Sequence, residues 1–285
     1  MSASPAPLPE DFLSRPAQDI ILSRVDFAKV GMPEYKDLYA VVLDNVLTAA
    51  ECQILIAAAE ATSANGWERA KIMGGSGRQY LATDTRNCGR IIWDSSEVTG
   101  RIWTRVEAAL GDEAEKMMRL ENVAKITGNG PAMRGETWRF TRLNERMRFL
   151  KYERGEYFRP HLDGTYETPD GKEMSMFTLH LYLNSSLPDA DANPITNSER
   201  QRSGKSELIG RATTFHSRDM ETRFDVMPKA GRVLLFQHRG LPHSGDNVTQ
   251  GVKFSMRTDL MFELSSRKVR WREAGIEWFR RASGM

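Results

Sequence analysis

Residues 234–262 read LLFQHRGLPHSGDNVTQGVKFSMRTDLMF, and the way this stretch changes character decides the fold. Its first part is an apolar run ending in glutamine and histidine, and a Gly-, Pro-, Asp- and Asn-rich turn follows. In the last part Lys253, Ser255, Arg257 and Asp259 alternate with Phe254, Met256, Thr258 and Leu260. A period of two belongs to a strand, so one face of this strand is charged and the other mostly apolar. A solvent-exposed edge strand would show the same alternation. If the charged face instead lines an interior, its cations need anionic partners, and a bound dicarboxylate would supply them.

Working outward, Met147–Tyr152, Met176–Leu183, Arg232–His238 and Val252–Phe262 all read as strands separated by turn-forming segments. The half before Met147 has helical periodicity. Thr48 and Glu51 have the spacing of a capping box, and Cys52, Leu55, Ile56 and Ala59 then follow the i, i+3, i+4, i+7 pattern after a short strand at Tyr39–Leu43. A second helix is expected over Ser96–Leu110, with Val98, Ile102, Val106 and Leu110 on one side and Gly111 as its stop. The fold class is therefore α+β with a mainly β core, a sandwich or barrel supported by N-terminal helices.

Residues 1–36 carry five prolines and little periodicity, and read as an arm that is partly disordered or packed on the surface, not a domain. Residues 37–264 form the expected domain, interrupted by a polar insert or lid at 189–218, where His216 is expected to be exposed. Residues 265–285 read as a C-terminal helix or tail, docked on the domain or on a second subunit, which leaves an oligomer open. The formal charge of +2 advertises neither a nucleic-acid nor a membrane partner. Two cysteines are too few for a disulfide framework, and no signal peptide or membrane span is evident, so a soluble cytoplasmic protein is expected. The Gly-rich MGGSGR lacks the Lys-Ser/Thr of a phosphate loop and reads as a surface turn.

In FRPHLDG, His161 and Asp163 stand at i and i+2, which on one strand puts both side chains on the same face. With a second, distant histidine they would make a 2-His-1-carboxylate triad, which leaves positions open on iron(II). Alone the signal is weak, because chance gives such a pair in about one chain in four of this composition.

The order of RFLKYERGEYFRPHLDG, FTLHLYLN, ETRF, GRVLLFQH and HSGDNVTQGVKFSMRTD resembles the prolyl 4-hydroxylase-like branch of the 2-oxoglutarate- and iron(II)-dependent dioxygenases, over roughly residues 39–262. The resemblance implies a double-stranded β-helix, or jelly roll, with His161, Asp163 and His243 as iron ligands. It also implies 2-oxoglutarate and O2 as co-substrates, with ascorbate as a reductant compatible with such chemistry. Lys253, ten residues beyond His243, then falls where a basic residue holds the far carboxylate of 2-oxoglutarate. Arg257 is the second choice, and Tyr152 and Tyr182 match tyrosines that help hold the same group. His243 is preferred to His238 because it precedes Ser244-Gly245. His180 shares a strand face with Tyr182, and Arg86 and Arg90 fall where the family builds substrate-facing loops.

The resemblance thus implies oxidation of a C–H bond in a small-molecule, amino-acid or peptidyl substrate. A demethylase on the same core, or a catalytically silent ligand-binding jelly roll, are the alternatives. One departure is that Arg218-Asp219-Met220 stands where relatives often have a Gly-Gly pair.

Overall fold

A computed structural model describes residues 8–267 except 18, 74–77 and 187–211. The GGSG turn, most of the polar insert and the tail from residue 268 lie outside the described residues.

Two antiparallel sheets form the core. The larger has the order Ile21–Arg24, Ala40–Asp44, Val233–Gln237, Glu173–Tyr182, Lys253–Arg267, Arg146–Tyr152, Gly89–Asp94 and Glu68–Arg69. The Glu136–Leu143 strand pairs with the far half of Lys253–Arg267 and carries Arg119–Glu121 on its other side. The smaller sheet runs Arg223–Val226, Thr213–His216, His243–Gly245, Tyr157–His161 and Arg86–Asn87. Aromatic rings join the two: Phe215 of the smaller sheet meets Phe236 of the larger edge to face at 5.4 Å, and Phe236 meets His243 at 4.7 Å. The fold is a jelly roll with helices packed outside.

The long strand Lys253–Arg267 sits between Glu173–Tyr182 and Arg146–Tyr152, so both its edges are paired. Its polar alternation faces inward: Lys253, Ser255 and Asp259 are buried, as are Met256, Thr258 and Leu260 on the other face. The exposed-edge reading of this pattern is thereby excluded.

Both expected helices form. In Ala49–Thr62 the Thr48 hydroxyl accepts from the Glu51 amide and the Glu51 carboxylate accepts from the Thr48 amide, and Cys52, Leu55, Ile56 and Ala59 are buried. In Ser96–Leu110 the Ser95 hydroxyl caps the Val98 amide, and the four expected apolar residues face the core. Arg105 of this helix reaches across to Glu51 through two nitrogens, at 2.7 and 3.0 Å, and also donates to the Val46 carbonyl. Arg105→Ala would leave Glu51 half-buried without its counter-charge, so a loss of about 3 kcal/mol in unfolding free energy is expected by chemical denaturation. A loss under about 1 kcal/mol would show the pair to be no more than a surface salt bridge.

Three expectations need correction. The described part of the N-terminal segment is more than an arm packed on the surface: Ile21–Arg24 joins the larger sheet by pairing with Ala40–Asp44, and Phe12, Phe27, Met32 and Tyr35 are buried. Phe27 packs edge to face on Phe215, which ties this segment to the smaller sheet. His216 is half-buried at the end of the Thr213–His216 strand, with its Nε2 2.8 Å from the Ser244 hydroxyl, so the ordered sheet resumes before the end of the polar stretch. The last strand continues past residue 264 to Arg267, because Glu136 and Thr137 pair with its end.

Candidate metal centre

His161 and His243 face each other across adjacent antiparallel strands of the smaller sheet, and their rings meet at 4.3 Å between centroids. The strand ends at His161. Asp163 therefore lies just beyond it, not on one pleated strand with His161, and reaches the site from the following turn. Its carboxylate oxygens stand 3.7 Å from the Nε2 atoms of both histidines. One potential ligand atom from each of the three residues falls within 4.8 Å of the others.

Backbone carbonyls fix the tautomer of each imidazole. His161 Nδ1 lies 2.9 Å from the Arg159 carbonyl, and His243 Nδ1 lies 3.0 Å from the Leu241 carbonyl. A carbonyl only accepts, so each Nδ1 carries the proton and each Nε2 presents a lone pair to the cavity. Burial pushes the His243 pKa down to about 3, against the pull of Asp163, so the ring is neutral at physiological pH. For Asp163, burial raises the pKa, but the charge of Arg257 and the hydrogen bonds the carboxylate accepts outweigh it and hold the carboxyl well below its usual range. Two imidazoles and a carboxylate with their ligand atoms within 4.8 Å of one another are a donor set that fits iron(II) and leaves coordination positions open.

The surrounding residues orient that carboxylate. The Thr178 hydroxyl donates to Asp163 Oδ2 at 2.6 Å, and Arg257 Nη1 lies 2.6 Å from Oδ1. Arg257 also reaches Asp259 at 3.3 Å, and Asp259 is held by Arg148 at 3.0 Å. Phe158 stacks on His161 with 3.6 Å between ring centroids. The sequence reading missed Thr178, Phe158 and the role of Asp259, although Asp259 was visible as part of the inward polar face.

Lys253, Arg257, Tyr152, His180 and Arg86 line one cavity with His161 and His243. The Lys253 ammonium lies over two rings, 5.6 Å from the centroid of Tyr152 and 5.4 Å from that of Tyr182. The Tyr182 hydroxyl points toward the Val226 carbonyl at 3.4 Å, so its ring, not its hydroxyl, faces Lys253. His180 is opposite Arg257 in the strand register and its Nε2 has no hydrogen-bond partner. Burial, then the charges of Lys253 and Arg257, keep this imidazole neutral. Arg90 is not brought to the cavity wall: it stands opposite Leu150 and reaches the Lys71 carbonyl and Gln79 at 3.4 Å. His238 is not among the three converging ligand residues: it is buried, 3.6 Å from Asp259.

The sequence model of the 2OG-Fe(II) oxygenase superfamily matches residues 147–258, the span from the Arg146–Tyr152 strand to the middle of the last strand. Iron(II) and 2-oxoglutarate are accordingly the cofactor and co-substrate of this oxygenase core, and O2 is the oxidant. No curated protein matches the sequence. Among solved structures, similarity is found to the viral collagen prolyl hydroxylase of Paramecium bursaria Chlorella virus-1, in its complex with 2OG. The two share 17% identity over 80% of this chain and 98% of that one, with a TM-score of 0.46. A Pseudomonas putida prolyl-4-hydroxylase is 16% identical over 83% of this chain and 99% of its own, with a TM-score of 0.45. A Trichoplax adhaerens prolyl hydroxylase, solved with a peptide fragment from hypoxia inducible factor, is 10% identical over 82% and 88%, with a TM-score of 0.46. At such identities and scores the chemistry of this chain has to be read from its own residues.

Proposed function

We propose that this protein couples oxidative decarboxylation of 2-oxoglutarate to hydroxylation, or a related C–H oxidation, of a small-molecule, amino-acid or peptidyl substrate. The observation that carries this reading is the convergence of ligand atoms from His161, Asp163 and His243, beside a cavity that His161 and His243 line together with Lys253. Iron, when bound there, supplies the redox chemistry, and the protein supplies binding, orientation and exclusion of water. His161, Asp163 and His243 would hold the metal. Lys253 would receive the far carboxylate of 2-oxoglutarate, a reading supported by the rings of Tyr152 and Tyr182 that flank its ammonium.

The direct test is succinate release from 2-oxoglutarate by the full chain with iron(II), which should fall to background without the metal. Absence of succinate with iron, 2-oxoglutarate and O2 all present would leave a silent ligand-binding jelly roll as the better reading.

Lys253→Ala is expected to raise the KM for 2-oxoglutarate by about one to two decades, the loss of a charge-assisted bond of roughly 1.5 to 3 kcal/mol. Arg257→Gln should behave differently, because Arg257 grips Asp163 and Asp259, so its main effect should fall on metal binding. An unchanged KM in the Lys253 variant beside a large rise in the Arg257 variant would transfer the anchor to Arg257.

A further inference from the structure

Arg86 enters the metal cavity from the edge strand Arg86–Asn87 of the smaller sheet, next to the strand that ends in His161. It is only 9% exposed, and its Nε is buried with no hydrogen-bond partner. The guanidinium lies over the Phe158 ring, 4.6 Å from its centroid, and that ring stacks in turn on His161. Stacking fixes where the charge sits without neutralising it. Neighbouring arginines are answered by acids: Arg257 by Asp163 and Asp259, Arg148 by Asp259, Arg69 by Glu156. Among the described residues no acid forms an ion pair with Arg86. Its field is felt nearby, since burial and then the charge of Arg86 pull the Arg90 pKa down.

A buried guanidinium with a donor left over is costly unless something that visits the cavity completes it. Lys253 stands on the larger sheet and is the group placed for the co-substrate. Arg86 stands on the smaller sheet, at its edge, on the outer side of the His161 strand. We propose that Arg86 receives a carboxylate of the substrate, so that this oxygenase acts on acids: small carboxylic acids, or peptides presenting an acidic side chain. This rests on the oxygenase reading above and names the substrate class for the same site. The planar fork of arginine suits a carboxylate, and such a contact fixes one end of a substrate relative to the metal.

The test uses the full chain loaded with Mn(II) and 2-oxoglutarate under anaerobic conditions. Calorimetry then compares hexanoate, benzoate and N-acetyl-L-proline with their primary amides, and a blocked tripeptide with a central glutamate with its glutamine counterpart. At least one acid should bind about tenfold or more tighter than its uncharged partner, and the pair that responds separates small acids from acidic peptides. Arg86→Gln should reduce that preference to within about twofold, with Mn(II) and 2-oxoglutarate affinities unchanged, while Arg86→Lys should keep part of it. Three results would overturn the proposal: no acid preferred over its partner by the wild type, a preference that survives in Arg86→Gln, or a tenfold loss of 2-oxoglutarate affinity in that variant. The first needs no variant to fold. A wild-type protein that takes up neither Mn(II) nor 2-oxoglutarate would sink the oxygenase reading itself, and the substrate assignment with it.

Discussion

His243→Ala is expected to abolish succinate release and to weaken Fe(II) or Mn(II) binding on the order of 100-fold or more, since even residues that only orient a metal's ligands contribute tenfold to 100-fold. The donor set has two imidazoles and one carboxylate, so removing any one leaves two donors and no defined open face. His161→Ala should do the same. Asp163→Ala should lose metal binding and, in addition, stability, because Arg257 would then lose its 2.6 Å partner in a buried setting. His238→Ala is the control. Its ring sits against Asp259, outside the triad, and the metal affinity of that variant should stay close to the wild-type value. Equilibrium titration with Mn(II), beside thermal denaturation of each variant, separates ligand loss from unfolding. A dead His238→Ala protein beside an active His243→Ala protein would move the distal ligand to His238.

What the sequence made legible was local. Capping of the Ala49–Thr62 helix needs only Thr48 and Glu51, three residues apart, and the charged face of the last strand needs only alternate residues from 253 to 259, although its inward direction follows from the pairing of both its edges. The triad was legible only through the resemblance: His161 and Asp163 alone make a weak pair, and His243 was singled out by the family-like motif it opens with Ser244-Gly245. The illegible features depend on chain separated by long stretches. Arg257 and Asp163 are brought together only by the pairing of sheets, and nothing in either segment announces the contact. The N-terminal segment was misread because its buried residues, Phe27, Met32 and Tyr35, sit in a turn, a loop and a single 3-10 turn, where burial follows no α-helical or strand period. Its strand, Ile21–Arg24, lies at a sheet edge with three of four residues exposed, so alternation had nothing to show. His216 was assigned to the insert by its polar neighbours, although Thr213-Thr214-Phe215 just before it has strand composition.

The largest effect on folding is expected from a residue remote from the metal. Gly231 ends the turn that leads into Val233–Gln237, with φ at +77°. A Cβ built there would stand 1.7 Å from the Leu47 carbonyl oxygen and 2.6 Å from its carbonyl carbon, both backbone atoms that no side-chain rotation can clear. The approach is close because the Gly231 carbonyl accepts from the amides of Val46 and Leu47 at 3.0 and 3.3 Å, and its own amide donates to the Tyr182 carbonyl at 2.9 Å. This glycine thus joins the approach to the first helix, the strand that carries Thr178 and His180, and the Val233–Gln237 strand that lies between it and Ala40–Asp44. Gly231→Ala would combine a left-handed backbone cost of about 1 to 2 kcal/mol with displacement of hydrogen bonds worth about 1 kcal/mol each, roughly 4 kcal/mol together. For a domain of this size that is a fall in Tm of roughly 8 to 16 °C. Gly100, exposed within the Ser96–Leu110 helix with nothing within 4 Å of a built Cβ, is the counter-case. There alanine should stabilise by about 0.5 to 1 kcal/mol, because only the conformational cost of glycine is removed. A Gly231→Ala protein melting within about 2 °C of the wild type would mean that the approach to Leu47 relaxes at little cost, and that the glycine is not required there.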